Sequence, residues 1–365
     1  MKKDVIRSIL TAFASGDALG MPTEFMTRKA IKAKFGLVDA IIDPQFSQNH
    51  AGLRRASVTD DTEQVLALLD EYCRAGCVEA HGTAARLLRW MRESGAVEKG
   101  YIGPSSKSAL EAIEKGASIL EAGSRGTTCG GIMRSPAAII FALARNLPLD
   151  DCVYICLMPT HRTQRALEAA LAYSYTMRWA LTTGPGASPM GSDAMTKGSG
   201  VLQRCADFGM AGPARHEEAA RIAGALKESS LEACDAASRF VPEAFCGSTV
   251  PARIACFEAM LPALSGPDAV LDFLYDVFGT GLDSIDVAAA VLCIFRYCGP
   301  DTWLALRMGA SVGGDTDTIA ALAGGLSAAY ATSQGRPLNI PPRIAEEVVA
   351  VNSLEIEQLS DRLGA

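Results

Sequence analysis

Residues 313–331 read GGDTDTIAALAGGLSAAYA: a glycine pair, two Asp-Thr pairs, then a run of small and apolar residues without a charge. That run predicts a helix over Ile319–Ala331. Its Ala320–Leu326 portion is lean enough for a neighbouring helix axis to approach closely. The same reading extends outward along most of the chain. Val5, Ile6, Leu10 and Phe13 fall on one helical stripe. Glu63–Ala75, Ser108–Leu120, Pro136–Ala144, Arg165–Leu181, Glu217–Leu226, Val270–Val277, Ile285–Tyr297 and Thr302–Met308 also carry helical periodicity. Strand-like alternation is scarce, and Leu37–Ile42 is short and ambiguous. Aromatics at 6% and frequent alanine runs favour packed helices over sheets, so the fold class is all-α.

The 365 residues, 49% hydrophobic and 21% charged, are those of a folded chain with a substantial core. A Gly/Ser/Pro-rich stretch at 183–200 reads as a loop or insertion, and Asp43–Val58 as a surface loop. Candidate site residues lie on both sides of the first stretch, which favours a single domain over 1–365. The net charge of −7 and pI near 5.3, with no basic stripe, argue against nucleic acid. The 11 cysteines are odd in number. Cys73/Cys77 and Cys152/Cys156 could each share a helix face, but no second pair or nearby His completes a zinc site. Reduced structural thiols fit a reducing compartment, hence the cytoplasm. The N-terminal MKKDVIRSILTAFASGD imitates a signal peptide, yet Asp4 and Arg7 interrupt its apolar stretch, and it reads as the first core helix. No run approaches the roughly 18 apolar residues of a membrane span.

Chemistry concentrates in two acidic motifs. Ser57-Val-Thr-Asp-Asp-Thr-Glu63 precedes one helix, and Gly313-Gly-Asp-Thr-Asp-Thr318 precedes another. Either alone fits a helix cap as well as a metal site. Adjacent carboxylates repel each other unless a cation lies between them, which exceeds what a cap needs. Hard oxygen donors without paired His or Cys suit Mg²⁺, Ca²⁺ or Mn²⁺ rather than zinc. Two such motifs together suggest a two-metal centre.

Gly16-Asp-Ala-Leu-Gly-Met-Pro-Thr-Glu24, Thr59-Asp-Asp-Thr62, Cys129-Gly-Gly-Ile-Met-Arg134, Thr160-His161 and Gly313-Gly-Asp-Thr-Asp-Thr318 resemble, in that order, the signatures of ADP-ribosylglycohydrolases. The resemblance runs from about Ile9 to Ala331. It implies an orthogonal all-α bundle with a dinuclear cleft for two Mg²⁺, or Mn²⁺ as in some members. By carry-over, Thr59, Asp60, Asp61, Asp315, Asp317 and Thr318 are the metal ligands. Asp61, Asp317 and Glu24 are the candidate catalytic carboxylates. Cys129, Gly130, Gly131 and Met133 belong to a glycine-rich turn implied to receive the ADP-ribose diphosphate. Gly313 and Gly314 and His161 join that binding set, although a lone His in apolar sequence fits a structural role equally well. His50, His81 and His216 receive no role.

The implied reaction is metal-assisted hydrolysis at ribose C1″, releasing ADP-ribose from a modified protein side chain, with arginine the preferred acceptor. Tyr101 stands where relatives often have an acid, and Cys129 where many have Asn. The alternatives are an ADP-ribose-binding or toxin-neutralising protein without turnover, and a hydrolase of a free ADP-ribosylated small molecule or nucleic acid. An ADP-ribosylating toxin or its target is a conceivable partner.

Overall fold

The computed structural model describes residues 1–47, 49–183, 213–241 and 247–364, with side chains of 213–216 excepted. The loop expected at 183–200 lies, apart from Thr183, outside the described residues. Among the described residues every regular element is helical, and the only strand-like pairing is an isolated bridge between Thr128 and Asp283. Leu37–Ile42 forms no strand. Among the described residues no helix is long and apolar enough to cross a membrane.

At the centre, helix Lys3–Gly20 runs against helix Thr316–Ser333, the most extensive helix pairing among the described residues. The reason is residue size. A Cβ on Gly16 would stand 2.4 Å from the Ala320 carbonyl oxygen, and one on Gly20 2.4 Å from that of Thr316. A Cβ on Gly309, in helix Thr302–Ser311, would meet Ala320 Cα as closely, and one on Gly324 would stand 2.1 Å from Leu306 Cδ2. The small-residue run is therefore a packing device. Every residue from Thr316 to Ala331 is buried.

Helices Asp60–Ala75, Gln164–Thr182 and Ser284–Cys298 pack against this pair, and Gly130–Arg145 packs on the first two of them. The expected helices are present, with differences at their ends. Ser108–Leu120 is split: a helix over Pro104–Glu114 stops before Gly116, whose φ of +93° excludes helix, and a single turn follows at Ile119–Ala122. Val270–Val277 becomes Gly266–Phe273 followed by a π turn over Leu274–Phe278. The segment Cys129–Arg134, expected as a turn, is already helical: Cys129 is the N-cap and Gly130 the first residue. Pro136, expected to start that helix, lies inside it. Proline has no N–H for the Ile132 carbonyl, and Ser135 Oγ donates to that oxygen instead at 2.8 Å.

Candidate metal centre and active site

The two acidic motifs open helices Asp60–Ala75 and Thr316–Ser333, whose N-termini converge. They meet at one carboxylate. Asp61 Oδ2 accepts from Thr318 Oγ1 at 3.3 Å and lies 3.4 Å from Thr59 Oγ1. The helix ends carry partial positive charge, which favours acids in their first turns. Neither cap position caps its own helix: Thr59 and Asp315 make no side-chain cap hydrogen bond.

Asp17, which sequence reading left without a role, takes over the cap on the first of these helices. Its Oδ1 accepts from Thr59 N at 3.0 Å and Thr59 Oγ1 at 2.9 Å. Its Oδ2 accepts from Thr62 N at 3.0 Å and Thr62 Oγ1 at 2.5 Å. An acid between Gly16 and Gly20 at the buried end of the first helix was the available signal. Because Asp17 fills the orphan N–H groups, Asp60 and Asp61 are free for another purpose. Asp60 Oδ2 accepts from Gln64 Nε2 at 3.1 Å, while Asp61 Oδ1, Asp315 Oδ2 and Asp317 Oδ1 are buried without a hydrogen-bond partner.

Asp17, Glu24, Asp60, Asp61, Asp315 and Asp317 are all buried. Burial, and next the charge of Asp317, raise Glu24, Asp60, Asp61 and Asp315 well above ordinary carboxylate values. The same causes push Asp17 up to about 7, opposed by its bonds from Thr62 and Thr59. Such an array calls for positive charge, and oxygen donors with unfilled lone pairs are what a hard divalent cation needs. The residues present therefore fit the divalent metals expected here.

Glu24 follows the turn Met21–Thr23 and is held by an unusual backbone. Phe25 has φ +60°, a left-handed conformation costly for a large side chain, and its N–H donates to the Gly314 carbonyl at 2.7 Å. Gly313 and Gly314 have φ of +86° and +76°. A Cβ there would strike Arg28 N at 2.6 Å or Thr280 O at 2.1 Å, so both glycines serve a tightly packed entry turn. His50, to which the sequence assigned nothing, places Nε2 against Glu24 Oε2, and both are buried. Glu24, His50 and Asp317 each offer one donor atom within 4.8 Å of the others. No spacing pattern signalled His50, because it lies in an irregular loop.

Cys129 adjoins Asp315, and its thiol is raised by burial and then by that carboxylate. Gly130 and Gly131 pack on His161: their Cβ atoms would lie 2.9 Å from His161 Cε1 and 3.0 Å from its Cβ. Met133 is buried in the same helix. His161 is fully buried and lowered well below its usual value by burial and then Arg134. Arg134 donates to Gly130 O at 2.5 Å and to Thr160 Oγ1. That leaves the Thr160 hydroxyl hydrogen for His161 Nδ1, 2.7 Å away, and His161 Nε2 to donate to Thr128 Oγ1 at 3.1 Å. Tyr101 donates to Glu63 Oε2 at 3.1 Å, and Trp90 Nε1 donates to the same oxygen at 2.8 Å. His81 is exposed near Glu79. Among the described residues the cysteines are free thiols.

The sequence model of the ADP-ribosylglycohydrolase family matches residues 2–365. The chain is similar to Uncharacterized protein YegU of Escherichia coli strain K12, 27% identical over 367 residues, covering 100% of this chain and 97% of that one. It is also 30% identical over 171 residues to an uncharacterized protein of Archaeoglobus fulgidus, covering 47% of this chain and 53% of the other. Among solved structures, an ADP-ribosylglycohydrolase-related protein complex shares the fold with a TM-score of 0.60 at 22% identity, over 99% of this chain and 97% of that one.

Proposed function

The chain belongs to the ADP-ribosylglycohydrolase family, and from that premise we propose that it is a magnesium-dependent hydrolase removing ADP-ribose from modified protein side chains, arginine foremost. The observation that carries this reading is the buried carboxylate array at two converging helix N-termini, with oxygens of Asp61, Asp315 and Asp317 left unfilled. Thr59, Asp60, Asp61, Asp315, Asp317 and Thr318 would hold the metals. When bound, two divalent cations supply electrophilic stabilisation at the ribose hydroxyls and the attacking water.

The reaction is hydrolytic: water adds to C1″, the bond from C1″ to the side-chain nitrogen breaks, and that nitrogen leaves with a proton. Asp61, Asp317 and Glu24 are the carboxylates that would take the proton from water. The first turn of helix Gly130–Arg145 offers backbone N–H groups to the diphosphate. His161, buried beneath that turn, acts by positioning it. The cytoplasm, where ADP-ribosylated proteins and reduced thiols occur together, is the compartment this reading expects.

The test offers ADP-ribosylated arginine, serine and nucleic-acid substrates to the protein with Mg²⁺ and with a chelator. Metal-dependent release of ADP-ribose from arginine is expected, and Asp61→Ala and Asp315→Ala should abolish it. Release by those variants at near-wild-type rates would sink the proposal. Tight ADP-ribose binding with no release would point instead to a binding or toxin-neutralising protein.

A further inference from the structure

Six oxygen-donating residues account for the metal ligands expected above, yet the cleft contains an imidazole as well. His50 is 3% exposed, its Nε2 lies against Glu24 Oε2, and its Nδ1 has no hydrogen-bond partner. Asp317, 3% exposed, has an oxygen without a partner. Donor atoms of Glu24, His50 and Asp317 lie within 4.8 Å of one another, close enough to surround a single ion after small side-chain adjustments. Ligand-to-metal distances of about 2.0–2.2 Å place neighbouring donors roughly 3–4 Å apart.

We propose that Glu24, His50 and Asp317 form an oxygen–nitrogen–oxygen position for a divalent cation, and that its imidazole donor favours a first-row transition ion over Mg²⁺. The chemical reason lies in the ions. Mg²⁺ demands oxygen donors and parts reluctantly with its waters. Imidazole nitrogen binds Mn²⁺, Co²⁺ and their later neighbours progressively better, in the Irving–Williams order. Asp317 belongs to both donor sets, so this position adjoins the carboxylate pair and stands on the metal reading of the preceding section. His50 reaches it from the loop over residues 49–58, anchored where Ser47 Oγ accepts from His50 N at 2.9 Å. The carboxylate motifs provide charge, and the loop histidine provides selectivity.

The test uses the full chain stripped of metal. Pulsed electron paramagnetic resonance on the Mn²⁺-loaded protein should show nitrogen coupling of an imidazole ligand, absent in His50→Gln and His50→Ala. Competition titrations should show Co²⁺ preferred over Mg²⁺ in the wild type, with the preference falling at least tenfold in both variants. Matching circular dichroism spectra for wild type and His50→Gln ensure that a folding defect is not read as a lost ligand. No nitrogen coupling in the wild type, or coupling that persists without His50, would overturn the proposal while leaving the hydrolase reading intact. Nitrogen coupling in a protein that releases no ADP-ribose would support the ion position and remove the hydrolase reading.

Discussion

A carboxylate on the buried end of a helix is costly unless its lone pairs are filled, and Asp17 fills them with both N–H and hydroxyl groups of Thr59 and Thr62. It is a cap delivered from another helix, and the arrangement releases Asp60 and Asp61 from that duty. Outer partners of metal ligands typically contribute 10–100-fold to metal affinity. Asp17→Asn, which keeps the shape and loses half the acceptor capacity, should weaken Mg²⁺ binding by about that factor. Isothermal titration with circular dichroism as a control checks it; unchanged affinity would contradict the role. His50 belongs to the same scale. It was not legible, because a single histidine in a loop carries no periodicity, and only folding brings the loop to Glu24.

At the scale of elements, glycine does opposite things in two helices. Gly20 lies where helix Lys3–Gly20 touches helix Thr316–Ser333, and an added Cβ would stand 2.6 Å from Asp317 Cα. Overpacking of this kind costs about 1–3 kcal/mol. Gly20→Ala should therefore lower the urea midpoint by that equivalent and weaken metal binding as Asp317 shifts. Gly224, exposed within helix Pro213–Phe240, meets nothing within 4 Å. Gly224→Ala should stabilise by about 0.5–1 kcal/mol through helix propensity alone. Equal effects from the two substitutions would refute the close-packing account. The start of helix Gly130–Arg145 shows where sequence rules mislead. Pro136 imitates a first-turn proline, but Ser135 satisfies the freed carbonyl and the helix begins earlier.

At the scale of the whole molecule, the buried acids should couple stability to pH and, on the proposed metal reading, to divalent cations. Asp17 rises from 3.8 to about 7 in the fold, and Glu24, Asp60, Asp61 and Asp315 are raised as well. A raised carboxyl binds more protons folded than unfolded, so its stabilising contribution is complete below the unfolded value and disappears as pH rises. The metal-free protein should thus lose thermal stability between about pH 4 and 7 on this account. A divalent cation, binding the ionised array, should raise the melting temperature more at pH 8 than at pH 5. Differential scanning fluorimetry with and without Mg²⁺ checks both statements, and equal shifts at the two pH values would contradict them.

The all-α class, the positions of most helices and the close packing at Ala320–Leu326 were determined by sequence, because helical periodicity and side-chain size are local properties. The ordered motifs identified the family for the same reason: each is a short contiguous string. Convergence is not local. That Thr59 and Thr318, 259 positions apart in number, both reach Asp61, that Asp17 caps a helix it does not belong to, and that His50 faces Glu24 were decided by tertiary structure. Partners of a buried charge are whichever groups packing brings within about 3 Å, and packing is a property of the assembled helices.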